Sequence, residues 1–176
     1  MKTPLCLTAL AIGCLAATAA AQAPATPVAD AFRATEQRHA KNLIAAIEEM
    51  PAAKFGFKPT PAQMSIADIA GHLAEGNDYL CSAISGEAAP KRAELPKGAA
   101  KEALVARLKE TFQFCETALA KVSDSDLSAE VPFFGGRKVT RAQAMFVTAE
   151  DWADHYSQLA TYLRLNGLLP PTAKRS

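Results

Sequence analysis

The chain has 176 residues, with 19 basic against 18 acidic side chains and a formal charge of +1. Neither sign forms a long block, so the electrostatic footprint of a nucleic-acid-binding protein is absent and no nucleic-acid partner is expected. The length suits one domain with its own core and hardly two.

Met1-Lys2 is followed by an apolar stretch from Leu5 to Ala20 that ends in Ala19-Ala20-Ala21 before Gln22. That order of a basic start, an apolar run and small residues is the layout of a cleavable secretory signal over residues 1–21. The run is short and alanine-rich for a membrane span, which needs about 20 strongly apolar residues, and no second run follows. The expected mature protein is exported without stable membrane insertion, and periplasmic in a Gram-negative bacterium. Residues 22–28 read as an alanine and proline linker, residues 29–171 as the domain, and 172–176 as a tail.

The first helix is expected from about Ala29 to Met50, where Val28, Phe32, His39, Leu43, Ile47 and Met50 recur every three or four residues. Pro51, Gly56, Pro59 and Pro61 break it, and Phe55 and Phe57 are expected to seat the loop against the end of the bundle. The second helix is expected over roughly Ala62 to Ser85, with Thr60 or Ser65 as its cap and Ile66, Ile69, Leu73, Leu80 and Ile84 as its apolar stripe. Residues 86–98 read as a surface connection. Leu104, Leu108, Phe112, Cys115, Leu119 and Val122 mark a third helix over about Ala99 to Val122.

Pro132, Gly135 and Gly136 punctuate the following loop, whose Val131-Pro132-Phe133-Phe134 stretch can pair as a small hairpin or remain a loop. A final helix starts behind the cap Thr140. It carries Met145, Ala149, Trp152, Tyr156, Leu159 and Leu163, and stops at Asn166-Gly167. Four one-sided stripes bury best against each other, so the expected fold is an all-α, up-down four-helix bundle.

Two histidines stand beside rather than inside the apolar stripes, His72 on the second helix and His155 on the fourth. On the fourth helix Thr148, Asp151, His155, Gln158 and Tyr162 form a polar stripe, which places Asp151 and His155 one turn apart on one face. His72 is the natural third ligand. Two imidazoles and one carboxylate suit zinc, iron, nickel or manganese and leave coordination positions open. Glu75 and Glu150 can add a carboxylate or hold a ligand imidazole, or can simply be solvated. His39 and Trp152 read as core residues, and Gln158, Tyr162 and Arg164 as structural.

Cys6 and Cys14 fall within the signal. Cys81 and Cys115 remain, and in an oxidising compartment they are expected to bridge neighbouring helices; two buried thiols are the alternative.

Pro59-Thr60-Pro61, Met64-Ser65-Ile66 through Gly71-His72-Leu73-Ala74, His155-Tyr156-Ser157-Gln158-Leu159 and Tyr162-Leu163-Arg164-Leu165-Asn166-Gly167 together resemble the DinB-like (DinB/YfiT) superfamily. The resemblance spans nearly all of the expected mature chain. It implies a four-helix bundle, often homodimeric, with a divalent metal held by one histidine of the second helix and two histidines a turn apart on the last. His72 and His155 match that triad, whereas Asp151 stands where the family carries a histidine.

For function, the resemblance implies a metal-dependent hydrolase or thiol transferase acting on a small molecule. A non-catalytic small-molecule or metal-binding module with a degenerate site is the alternative. No serine–histidine–acid arrangement, phosphate-cradling glycine loop or CxxC motif points to another enzyme class.

Overall fold

The computed structural model describes residues 26–174, so the signal expected over 1–21, and Cys6 and Cys14 with it, lie outside the described residues. Four α-helices carry the fold: α1 (Pro27–Glu49), α2 (Ile66–Ser85), α3 (Lys101–Leu119) and α4 (Arg141–Leu165). A two-stranded antiparallel hairpin, β1 (Glu130–Pro132) and β2 (Lys138–Thr140), pairs Val131 with Val139. The all-α bundle expected from the stripes is the fold.

The boundaries follow the caps. Pro27 opens α1 at the first helical position, where a missing N–H costs nothing, so Pro27 and Val28 are helical rather than linker. Thr26 does not cap this helix through its side chain. Asp124, far along the chain, instead accepts from the amides of Val28 and Ala29 at 3.1 and 2.8 Å. For α2 it is Ser65 that caps, its hydroxyl accepting from the Asp68 amide while the Asp68 carboxylate accepts from the Ser65 amide. That reciprocal pair starts the helix at Ile66, four residues later than the periodicity suggests. The Phe55 and Phe57 carbonyls accept from the Ala67 and Ile66 amides, so the loop satisfies donors of the first turn as its rings pack at the bundle end. Thr140 caps α4 as expected, and Gly167 at φ +76° ends it.

The helix directions come from the side chains that meet. Asn77 bonds Thr111, and Cys81 is disulfide-bonded to Cys115, so α2 and α3 run parallel. Met64 meets Tyr162 at one end while Asn77 meets Trp152 further along, so α2 and α4 run antiparallel. Arg33 reaches the Leu119 and Val122 carbonyls and Lys109 pairs with Glu48, so α1 and α3 run antiparallel. In chain order the helices run up, down, down, up, in place of the alternating up-down order expected from the stripes. Residues 86–100 permit the parallel step, since they can span about 50 Å, more than the roughly 30 Å length of α3. Among the described residues no helix is long and apolar enough to cross a membrane.

The core is closed by Trp152, Leu43, Ile47, Leu73, Leu108 and Leu159, each at most 1% exposed. The disulfide ties α2 to α3 inside it, with a Cα–Cα separation of 5.2 Å. The described part of the C-terminal tail is held down: Lys174 pairs with Glu49, and the Tyr156 hydroxyl bonds Thr172.

Candidate metal centre

Trp152 sets the rotation of α4. Its indole N–H donates to the Asn77 Oδ1 at 2.8 Å, and its ring packs between Phe32 and Phe112 with centroids 5.9 Å away in each case. With Trp152 locked inward, the helical period puts Asp151 and His155 one turn apart on the flank facing α2.

His72, Asp151 and His155 then converge. The Asp151 Oδ1 lies 3.4 Å from the His155 Nε2 and 3.9 Å from the His72 Nε2. The two imidazoles meet edge to face at 4.9 Å between centroids, and one ligating atom from each of the three residues falls within 4.8 Å of the others. Burial grades across the cluster: the His155 side chain is 8% exposed, Asp151 30% and His72 49%. The cluster is rooted in the bundle and opens to solvent at its edge.

These separations can be tested against a metal. Bonds of about 2.0–2.2 Å from a tetrahedral ion put its ligand atoms about 3.4 Å apart. The His155–Asp151 pair stands at that distance and the His72–Asp151 pair is half an ångström wider. The donor set and its spacing fit a divalent cation such as zinc, nickel, iron or manganese. One feature of a supported site is missing. The buried His155 Nδ1 has no hydrogen-bond partner, whereas a ligating imidazole usually donates its second N–H to a carboxylate or carbonyl.

The other singled-out residues separate cleanly. Among the described residues, Glu75 and Glu150 do not join the His72–Asp151–His155 cluster. Gln158 turns to Asp154 at 2.8 Å, and Arg164 caps the Ala160 carbonyl. The Tyr162 hydroxyl donates to the Met64 carbonyl at 3.2 Å, joining the end of α4 to the start of α2, and burial raises its pKa. His39 packs beside Trp152 at 6.2 Å between centroids, outside the cluster. Burial lowers its pKa, with the Arg38 charge adding to the effect.

Glu36 was missed by the sequence reading. It is 2% exposed, and burial, assisted by the neighbouring Glu116 charge, pushes its pKa up from 4.5 to about 7. Its signal was in plain sight, because Phe32, Glu36, His39 and Leu43 keep the four-three-four step of the buried α1 face.

A family model described as the DinB superfamily matches residues 35–159. Among solved structures, a DinB-like protein from Bacillus subtilis aligns with a TM-score of 0.65 at 19% identity, over 83% of this chain and 99% of its own. A DinB-like protein from Bacillus cereus aligns with a TM-score of 0.66 at 16% identity, over 81% and 95%. A mycothiol-dependent maleylpyruvate isomerase aligns with a TM-score of 0.59 at 16% identity, over 74% of this chain and 60% of that one. At such identities these likenesses speak to the fold alone. No curated protein matches the chain in sequence.

Proposed function

The chain belongs to the DinB superfamily, and on that premise we propose that it is an exported metal-dependent enzyme, a hydrolase or thiol transferase, with His72, Asp151 and His155 as the ligands. The observation that carries this reading is the convergence of two imidazole nitrogens and one carboxylate oxygen at an edge of the bundle that solvent reaches. A divalent cation held there lowers the pKa of a water or thiol and supplies a nucleophile near neutral pH. The chain's own contribution is geometric and electrostatic. His155 is fixed inside the bundle, Asp151 offsets one positive charge, and the half-exposed His72 leaves one side open to a small-molecule substrate.

The thiol class is proposed because the same fold occurs in a mycothiol-dependent isomerase. Export favours water instead, because low-molecular-weight thiols are chiefly cytosolic. The signal-like segment of residues 1–21 and the Cys81–Cys115 disulfide support export.

The orphaned Nδ1 of His155 and the carboxylate at position 151 favour a second reading, a binding module that performs no turnover. Elemental analysis of the untagged mature protein, reloaded with zinc, nickel, iron or manganese, tests both. One equivalent of metal that falls below a tenth in Asp151→Ala is the expected result. Sub-stoichiometric metal in the wild type overturns the metalloprotein reading, and stoichiometric metal without metal-dependent turnover of ester, amide and thiol-transfer substrates selects the binding module.

A further inference from the structure

A groove of about 870 Å3 runs beside the metal cluster, between α2, the start of α3 and the 86–100 segment. Gly71, His72 and Ala74 of α2 line it on one side, Leu104 of α3 on another, and Ala93 and Leu95 of the connecting segment on the third. His72 is therefore shared by the metal cluster and the groove.

Two features keep the groove open. Residues 86–100 lack helix or strand, yet Arg92 pins them as a strut. Its guanidinium donates to both Asp78 carboxylate oxygens at 2.6 and 3.2 Å and to the Glu110 carboxylate at 3.1 Å. Arg107 adds a bond to the Ala93 carbonyl at 2.8 Å. Arg92 and Asp78 neutralise each other, and alanine, glycine and leucine residues supply much of the remaining wall, interrupted by Asp68, Glu75, Glu94, Lys97 and Arg107 at its margins. The second feature is Gly71. A glycine inside a helix costs about 1 kcal/mol relative to alanine, and a Cβ at position 71 would meet nothing within 4 Å. Close packing does not demand this glycine, and the space it leaves is the groove wall one residue before His72.

We propose that the groove binds the body of an elongated, mainly apolar small molecule whose anionic, metal-chelating head lies at His72. The volume falls in the range of pockets that enclose a small organic ligand, roughly 300–1,000 Å3. This proposal rests on the metal reading of His72, Asp151 and His155.

The test uses zinc-loaded protein and two hydroxamates that share one chelating head, acetohydroxamate and octanohydroxamate, with affinities measured by calorimetry. Six added methylenes resting in a half-open groove should tighten binding on the order of 50-fold. Gly71→Leu, which fills the groove from a helix position that accepts a side chain, should reduce that ratio to about threefold or less. Ala93→Phe, entering from the opposite wall, should do the same, and circular dichroism with zinc content checks that each variant is folded and loaded. Equal affinity for the two hydroxamates in zinc-loaded wild type overturns the groove and leaves the metal centre standing. A full length preference retained in both variants also overturns it. A wild type that keeps no zinc removes the head-group anchor and overturns both readings together.

Discussion

Two places in this bundle bring a carboxylate and an imidazole together on one helix, and they come to opposite ends. On α4, Asp151 and His155 are spaced by four residues, meet His72 from α2, and open to solvent on one side. On α1, Glu36 and His39 are spaced by three, face the interior at 2% and 9% exposure, and are joined by no third ligand among the described residues. A pair of ligand types on a helix face is therefore not a site. What distinguishes the α4 pair is a facing helix that delivers a third donor to the same point, with an edge where coordination positions stay open. The α1 pair instead carries ionisation costs: burial raises the Glu36 carboxyl pKa to about 7 and lowers that of His39.

The sharpest way to break this contrast is to delete an imidazole on each side and measure metal affinity by competition with a chelator. His72→Ala removes one of three protein ligands and should weaken zinc binding by at least about 100-fold, since even the loss of outer supporting groups costs 10–100-fold. His39→Ala should leave the affinity within about twofold, although it creates a cavity and lowers stability. An affinity that falls equally in both variants would mean that the interior histidine supports the metal, and the distinction drawn here would fail.

A second test asks whether the α4 pair depends on its inward anchor. Asn77 is 1% exposed; it accepts from the Trp152 indole and donates to the Thr111 hydroxyl. Asn77→Leu leaves a buried indole N–H and a hydroxyl without this partner, at about 1–3 kcal/mol each. A loss of about 3 kcal/mol in urea unfolding is expected, with weaker zinc binding because Trp152 no longer fixes the rotation of Asp151. Stability that falls while zinc affinity holds would show that the cluster is positioned by helix packing alone.

How much of this was legible follows from the range of the forces involved. The helices could be read because their apolar stripes are local and periodic, and Thr140 and Asn166-Gly167 stop them by short-range chemistry. The start of α2 was misjudged because Thr60 and Ser65 both carry capping hydroxyls, and only the reciprocal bond with Asp68 decides between them. The cap on α1 was beyond reach, since Asp124 arrives from a different loop. His72, Asp151 and His155, which converge in the structure, could be singled out because polar residues beside an apolar stripe break the pattern visibly. The parallel run of α2 and α3, and the groove that the 86–100 segment encloses with them, depend on where a long connection crosses, which periodicity does not encode. The Cys81–Cys115 pair became readable only together with the bundle, because each cysteine sits on a buried face.

The smallest expected effect tests the interior pair by pH. In the folded protein Glu36 holds its proton up to about pH 7, whereas in the unfolded chain it ionises near the ordinary 4.5. Between those values the folded state carries the extra proton, so the Glu36 contribution falls as pH rises and is flat above about 7. A shift of this size corresponds to about 3 kcal/mol at the high-pH plateau. His39 acts in the opposite sense. Its lowered pKa means that the unfolded chain takes up a proton first, so its contribution is present above the ordinary 6.5 and is lost as pH falls below it. The two slopes partly cancel in the wild type below pH 6.5, and the difference between wild type and Glu36→Gln isolates one of them. Glu36→Gln should be close to neutral at pH 5 and stabilising by about 2 kcal/mol at pH 8, measured as urea unfolding at each pH. A gain of equal size at both values would assign the effect to packing rather than ionisation, and a loss at pH 8 would mean that the charged carboxylate is held by a partner on α3 or α4 and that the interior pair is a site after all.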